Sequence, residues 1–323
     1  MTKPLKTEEI MITIYLKQHG KIIRNAEPAQ LDELGYDDVL WIDLLNPELK
    51  EQKAVEEYLD IDLLSRQQVE EIESSSKYAE TERSIVANSI FFVPRDEGFS
   101  LEPVSFTLTE GLLVTSREAE SRTFAEMGKR LQANSKPYPT GFHLFVSILE
   151  IRIDLDADIV EAESRRISQL SGQVGDEERS NEKLITRINA IQESMMTIRE
   201  GIFDRQRVLS GVLRSEHFPN DVFPRLQLMM RDVASLISHT DFSFERLNYL
   251  KDTVMGLINI EQNKTTKIFT VASVFFMPAT LIASIYGMNV AFPGGIDTFW
   301  ITMVLMVVAS GATMWFFRYK KWL

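Results

Sequence analysis

A chain of 323 residues with 47 acidic and 35 basic side chains carries a formal net charge of −12, and 44% of its residues are hydrophobic. This composition is that of an ordinary folded protein, and it excludes a disordered chain, a collagen-like chain and a disulfide scaffold. The absence of cysteine excludes thiolate-bound zinc, iron–sulfur clusters and thiol nucleophiles. The acidic balance argues against a nucleic-acid partner, whose phosphates need a basic face.

The first 142 residues predict a mixed α/β domain. Runs rich in β-branched and aromatic residues predict strands over residues 10–16, 39–44, 85–93 and 104–115. Residues 47–58 and 63–73 predict helices between these strands. A segment rich in proline and glycine at residues 137–141 then marks a break, after which the pattern changes.

The next part of the chain predicts long, densely charged helices. Apolar residues recur at helical spacing over residues 143–172 and 177–215, which indicates an antiparallel helical hairpin. A third helix is predicted to begin with Asp221 as its N-cap and with Pro224 in its first turn. Nothing in the sequence breaks this helix before residue 286, so it would be roughly 100 Å long. Because a helix of that length needs partners along it, we expect an oligomer.

Charged side chains almost stop after Lys267. Residues 268–323 hold one acid and three bases, so the first 267 residues carry a net charge of −14. Residues 268–286 and 299–317 are two uncharged segments of 19 residues each, which as helices match the thickness of a bilayer's hydrocarbon core. We therefore predict two membrane spans, the alternative being a buried helical hairpin in a soluble core. The expected organisation is an α/β domain over residues 1–142, a helical hairpin with a stalk helix over 143–267, and a two-span domain over 268–323.

Basic residues flank the two spans on one side only. They are Lys264 and Lys267 before the first span and Arg318, Lys320 and Lys321 after the second. The loop of residues 287–298 contains none, so the positive-inside rule predicts a multi-pass protein of the inner or plasma membrane with both termini cytoplasmic. Because the N-terminal segment is polar, we expect no signal peptide there, and we expect the acidic part of the chain in the cytosol.

One face of the third helix carries mainly small and polar residues at spacings that alternate strictly between four and three. Its members, here called the polar stripe, are Asp252, Gly256, Asn259, Asn263, Thr266, Thr270, Ser273, Met277, Thr280, Ser284 and Gly287. Such a stripe is costly against lipid, so it faces other helices or water. One interpretation is close packing between transmembrane helices. We favour the other, a neutral pore lining for an ion that keeps its water, because the stripe continues beyond the span.

The outer end of the stripe carries a recognisable motif. The chain reads Tyr286, Gly287, Met288, Asn289 at the end of the first span, after Met277 and Pro278. This Gly-Met-Asn motif in this position resembles the signature of the CorA family of divalent-cation channels and transporters. Residues 258–264, 281–284 and 318–323 are also similar to that family, and two terminal spans after a large acidic domain are its layout.

The resemblance implies a funnel-shaped homopentamer whose first span lines the pore. It implies a selectivity filter at the outer mouth, where the Asn289 amide and the Gly287 carbonyl, beside Tyr286 and Met288, hold Mg²⁺ through its water shell. The family's pore-facing positions correspond to Met277, Thr280 and Asn263, and its apolar gate to Phe269. The stripe itself adds Thr266, Thr270, Ser273 and Ser284 to the expected lining. In some members an acidic stalk residue binds regulatory divalent ions between subunits, and Asp252 lies at the matching place.

The outer loop departs from the family pattern. The family commonly carries Met-Pro-Glu-Leu there, whereas this chain has no glutamate between Val290 and Asp297. This leaves the preferred ion open among Mg²⁺, Co²⁺, Ni²⁺ and Zn²⁺.

The expected function is Mg²⁺ influx through a channel that internal Mg²⁺ closes. The expected partners are other copies of the chain, the bilayer and divalent cations. A Zn²⁺ transporter of the same architecture, whether or not coupled to protons, and a membrane-anchored scaffold or sensor are the alternatives. The chain lacks nucleotide-binding and metalloprotease motifs, so we expect neither an enzyme nor an organic cofactor.

Overall fold

The computed structural model describes residues 12–18, 21–25, 31, 34–64, 66–71, 77–94, 99–175, 181–288 and 296–320. The chain forms two compact units. The first unit comprises residues 1–173 and 184–250, and the second comprises residues 174–183 and 251–323.

Within the described part of the first unit, seven strands form one mixed sheet in the order β2-β1-β3-β7-β6-β5-β4. The strands are β1 Ile12–Gln18, β2 Lys21–Asn25, β3 Val39–Leu45, β4 Tyr78–Glu80, β5 Ile85–Pro94, β6 Phe99–Thr109 and β7 Leu112–Arg117. Neighbouring strands pair antiparallel except β3 and β7, which pair parallel. The mixed α/β character expected of this region is confirmed.

Two helices lie between strands, and five lie after the sheet in the described residues. They are α1 Leu49–Leu59, α2 Arg66–Glu71, α3 Arg122–Ala133, α4 Gly141–Ser171, α5 Asn181–Val212, α6 Phe223–Tyr286 and α7 Ile296–Tyr319. The helical hairpin is confirmed as α4 and α5, while residues 177–180 of its predicted second helix lie outside the described residues. Strands β2 and β4 and helix α3 are additional to the predicted elements.

The predicted strand over residues 104–115 is wrong as a single element. A hairpin turn divides it into β6 and β7, and β6 already begins at Phe99. The two turn residues, Glu110 and Gly111, have φ angles of 48° and 79°, which are the left-handed values of a tight hairpin turn. The continuous apolar and β-branched pattern on both sides of Gly111 hid this turn.

The two faces of the sheet pack against different layers. On one face, Ile14, Ile42 and Val114 lie in a buried aliphatic cluster that includes Val55 and Leu59 of α1. On the other face the buried aromatic side chains cluster with those of α3 and α4. These are Trp41, Phe91, Phe106, Phe124 and Phe145, with ring centroids between 5.2 and 6.3 Å apart. Burial of large side chains on both faces makes this sheet the core of the first unit.

A buried cluster of charged side chains joins the hairpin of α4 and α5. Arg152 and Arg205 both donate hydrogen bonds to Asp156, which is fully buried. The neighbouring Asp204 accepts a hydrogen bond of 2.9 Å from the backbone N–H of Ile90 in β5. Burial lowers the pKa of the Arg205 guanidinium to about 10, although Asp156 acts in the opposite direction. These pairs satisfy charges that would otherwise be costly to bury.

Helix α6 confirms the prediction of a single helix of more than sixty residues. It contains 64 residues, and Pro278 lies inside it without ending it. Its start differs from the prediction, because Asp221 lies in a short 3₁₀ turn over Asn220–Val222 and is not an N-cap. The Asp221 carboxylate instead lies 3.0 Å from Nε2 of His143, and this hydrogen bond lowers the pKa of that carboxyl. Pro224 is the second residue of α6, where its missing N–H costs nothing.

Candidate ion-conduction site

The polar stripe lies in the second unit, on the C-terminal part of α6 and the turn after it. All stripe residues other than the two glycines are exposed, from Asp252 to Ser284. Of the two stripe glycines, Gly256 is half-buried and Gly287 is exposed. Within the apolar segment the stripe therefore presents hydroxyl groups on the surface of the chain.

Helix α7 packs on a different face of α6. The half-buried residues of the α6 span recur at spacings of three, one, three, one and three, and they are Val271, Val274, Phe275, Pro278, Ala279 and Ile282. Three of them line a cavity of about 470 Å³ together with Thr313, Met314 and Phe317 of α7. At about 100° per residue, the centre of this face lies roughly 150° from the centre of the stripe. Packing against α7 of the same chain therefore does not account for the stripe.

Two stripe hydroxyls have fixed orientations. Thr270 Oγ1 donates a hydrogen bond of 2.8 Å to the carbonyl oxygen of Thr266, and Thr280 Oγ1 donates one of 2.9 Å to that of Phe276. Because the hydroxyl proton points back to the helix, the oxygen is left to accept hydrogen bonds from outside. Water bound to a cation is a hydrogen-bond donor, so these oxygens suit a hydrated cation.

Two large apolar side chains lie beside these hydroxyls. Met277 is a stripe member and is 63% exposed, whereas Phe269 lies about 60° from the stripe centre and is 69% exposed. Neither side chain is packed into the second unit. Phe269 is the position at which the family resemblance predicts an apolar gate.

The C-terminal end of the stripe is partly described. The Gly287 N–H donates to the carbonyl oxygen of Ala283 at 2.9 Å, and the Met288 N–H donates to that of Ile285 at 3.4 Å. A Cβ atom added to Gly287 would lie 3.1 Å from the Ala283 oxygen, so a side chain here would force a local shift. Asn289, a predicted filter residue, and residues 290–295 of the predicted outer loop lie outside the described residues, as does Lys321.

The N-terminal end of the stripe is polar. Asn259 and Asn263 are exposed, and Asn181 Nδ2 lies 3.5 Å from Glu261 Oε2. Asp252 is also exposed, and no basic side chain of the described residues lies within salt-bridge distance of it. The described part of one chain contains no cluster of three potential metal ligands.

Sequence reasoning found the stripe but did not identify the face that α7 covers. The signal was present, because small and large apolar residues recur at i, i+3 and i+4 from Val271 to Ile282. It was hidden because nearly every residue of the span outside the stripe is apolar. The orientation of the threonine hydroxyls was also missed. It could have been expected, because a threonine inside a helix can donate its hydroxyl proton to the carbonyl oxygen four residues earlier.

By length and hydropathy, two helices among the described residues could cross a membrane, within Asn220–Tyr286 and Phe299–Tyr319. A family model described as CorA-like Mg²⁺ transporter protein matches residues 36–321. This chain belongs to that family. The magnesium transport protein CorA of Wolinella succinogenes is 33% identical to it, over 97% of this chain and 100% of the relative. The protein of that name from Campylobacter jejuni is 31% identical over the same shares.

Solved structures agree with this assignment at the level of the fold. The complete structure of the CorA magnesium transporter from Methanocaldococcus jannaschii has a TM-score of 0.75 at 20% identity and covers 97% of this chain and 99% of its own. The full-length CmaX protein has a TM-score of 0.74 at 15% identity and covers 96% and 97%. The predicted family and fold class, an α/β domain followed by a long helix and two apolar C-terminal helices, are confirmed. CorA-like proteins are membrane transport proteins, and the two apolar C-terminal helices of this chain agree with that.

Proposed function

We propose that this protein conducts hydrated Mg²⁺ across the membrane, down its electrochemical gradient and into the cytosol. The observation that carries the proposal is the polar stripe of α6, which is exposed over the whole apolar segment and points away from α7. The family and its curated relatives, which are named magnesium transport proteins, support Mg²⁺ as the transported ion.

The stripe requires several copies of the chain around one axis. Hydroxyl oxygens facing lipid would have no hydrogen-bond donor, at a cost that only neighbouring helices or water can remove. A ring of α6 helices with the stripes inward gives each polar group water. From the family resemblance we take the number of copies as five. We place both termini in the cytosol, and we divide the chain into domains at residues 142 and 267.

The lining suits an ion that keeps its first water shell. Residues 268–286 contain no charged side chain, so the lining there offers hydroxyl oxygen atoms without a fixed charge. Mg²⁺ dehydrates reluctantly and is commonly held through its waters. A ring of Asn289 amides with the Gly287 carbonyls, flanked by Tyr286 and Met288, would select the hydrated ion at the outer mouth.

The same arrangement provides a means of closing the path. Rings of Phe269 and Met277 would form a narrow apolar section, which excludes water when it contracts. At the cytosolic end, a ring of Asp252 carboxylates would repel itself when no cation is present and bind Mg²⁺ when the ion accumulates. Internal Mg²⁺ thereby acts as a regulatory ligand as well as the transported ion.

Flux into liposomes tests this function. Purified protein is reconstituted in vesicles that contain a Mg²⁺-sensitive dye, and Mg²⁺ is added outside. We expect uptake by the unmodified chain and a fall of at least about tenfold for Asn289→Ala, since the amide ring would be lost. Asn134→Ala, a change in the loop after α3, is the matched control and should transport normally.

Two outcomes would contradict the proposal. Normal uptake by Asn289→Ala would remove this residue from the filter. Uptake of Zn²⁺ that requires a pH gradient, with no uptake of Mg²⁺ under either condition, would replace the channel by a proton-coupled zinc transporter. Parallel measurements with Mg²⁺, Co²⁺ and Zn²⁺, each with and without a pH gradient, separate these outcomes.

A further inference from the structure

A cavity of about 860 Å³ lies in the first unit. Strands β1, β2 and β3 form its floor, and helix α3 forms one wall along nearly its whole length. Its volume is within the range of sites that hold small ligands. We refer to it as the cationic cavity, because of the side chains described below.

The floor of the cavity is firmly built. The register of β1 places Tyr15 opposite both Arg24 and Trp41, so these three side chains share one face of the sheet. The rings of Tyr15 and Trp41 stack with centroids 4.5 Å apart. A Cβ atom on Gly128 would lie 2.8 Å from the Tyr15 hydroxyl, so the glycine allows α3 to lie directly against β1.

One charged pair inside the cavity is neutral. Arg117 donates hydrogen bonds of 3.0 and 2.8 Å to the two carboxylate oxygens of Asp43, and both side chains are buried. Thr115 donates a further hydrogen bond of 2.7 Å to Asp43. This pair needs no ligand and contributes no net charge to the cavity.

The remaining charges are mostly positive. Arg24, Arg122 and Lys129 line the cavity with exposed side chains, and Glu120 is the acid opposing them. Within the described residues, none of the three basic side chains takes part in a salt bridge. The cavity thus has a net charge of about +2, although the first 267 residues of the chain carry −14.

Helix stability does not explain this placement of charge. Arg122 is the first residue of α3, and the first turn contains no acidic residue. A cation at that position opposes the helix dipole and destabilises the helix slightly. The same arrangement, a helix N-terminus next to basic side chains, favours a bound anion.

We propose that the cationic cavity binds a small oligophosphate, such as the di- or triphosphate group of a nucleotide. Three separate cations around a cavity of this size match a chain of phosphate groups better than a single monovalent anion, and arginine pairs readily with phosphate oxygens. This binding does not depend on the proposed transport. It would nevertheless be relevant to it, because phosphate groups are common ligands of Mg²⁺ in proteins.

The test is calorimetric titration of the metal-free, full-length protein with inorganic tripolyphosphate at low salt. We expect saturable binding that weakens as salt is added. Each of Arg24→Gln, Arg122→Gln and Lys129→Gln should weaken binding about fivefold, and the triple variant about a hundredfold. Since all three side chains are exposed, these variants should unfold at the same temperature as the unmodified chain.

Two further variants make the test specific. Lys50→Gln removes an exposed cation on α1, outside the cavity, and should bind tripolyphosphate normally. Glu120→Gln removes the opposing acid and should strengthen binding about threefold. The proposal is overturned if the unmodified chain shows no binding at about 1 mM. It is also overturned if the triple variant binds as tightly as Lys50→Gln, or if Glu120→Gln weakens binding.

Discussion

The two units of this protein treat their polar groups in opposite ways. In the first unit, charged groups in the interior are paired with one another, as Arg152, Arg205 and Asp156 are between α4 and α5. In the second unit, polar groups on an apolar helix are exposed, and Thr270 and Thr280 have only backbone partners for their protons.

The difference indicates where each group finds its partner. A buried pair within one chain holds that chain together, and it is complete without any other molecule. The oxygen of an exposed hydroxyl on an otherwise apolar helix finds a partner only in water, an ion or another copy of the chain. The first kind of polar group should therefore affect stability when changed, and the second kind should affect transport.

The largest effect is expected for Asp156→Ala. The change leaves Arg152 and Arg205 buried without their shared acceptor, which should cost about 3–5 kcal/mol of the free energy of unfolding. For a unit of this size, thermal unfolding in detergent should occur about 10 °C lower. Asp154→Ala, an exposed carboxylate two residues away on α4, is the control and should unfold normally. Equal unfolding temperatures for the two variants would show that the buried pairs do not stabilise the first unit.

The next effect concerns transport. The double change Thr270→Val and Thr280→Val keeps the shape of both side chains and removes two acceptor oxygens from the stripe. Mg²⁺ flux in liposomes should fall about tenfold, while thermal unfolding stays within a few degrees. Thr313→Val is the matched control, because Thr313 makes the same hydrogen bond to its own helix but lies on α7 in the cavity between α6 and α7. A similar loss of flux in the control would make the effect one of helix packing.

The smallest effect is expected for Asp252→Ala. This carboxylate is exposed, so its removal should leave thermal unfolding unchanged. If it binds regulatory Mg²⁺, the internal concentration needed to halve the flux should rise about threefold. Dose–response curves at several internal Mg²⁺ concentrations measure this shift, and unchanged inhibition would exclude Asp252 from the regulatory site.

The sequence predicts the helices of this protein better than its sheet. Helix α6 has helical spacing and is not ended by Pro278, so the sequence alone predicts a single helix of more than sixty residues. The sheet was harder because β6 and β7 join at Glu110 and Gly111 within one apolar run. Short β2 and β4 have few residues from which a period of two can be read, and their pairing depends on distant strands.

In the candidate site, too, the local pattern could be predicted from the sequence, whereas contacts between distant residues could not. The stripe is a local periodic pattern on one helix, and the sequence alone identified its members. Which face of α6 meets α7 depends on residues separated by about forty positions, as in the pair Val274 and Thr313 that line one cavity. The cationic cavity was not predicted at all, because it combines Arg24 of β2 with Arg122 and Lys129 of α3, two distant elements that only the fold brings together.

The central claim is that the polar stripe faces a water-filled path shared by several copies, and one measurement tests it most directly. Because the chain has no cysteine, single cysteines can be introduced into an otherwise unreactive background. Thr280→Cys and Ser284→Cys place a thiol on the stripe, and Val274→Cys and Ala279→Cys place one on the face towards α7. Each variant in liposomes is treated with a charged, membrane-impermeant thiol reagent while Mg²⁺ uptake is recorded. We predict that the two stripe variants react and lose uptake, whereas the other two do not react. Protection of the stripe positions, or equal reaction on both faces, would contradict the account.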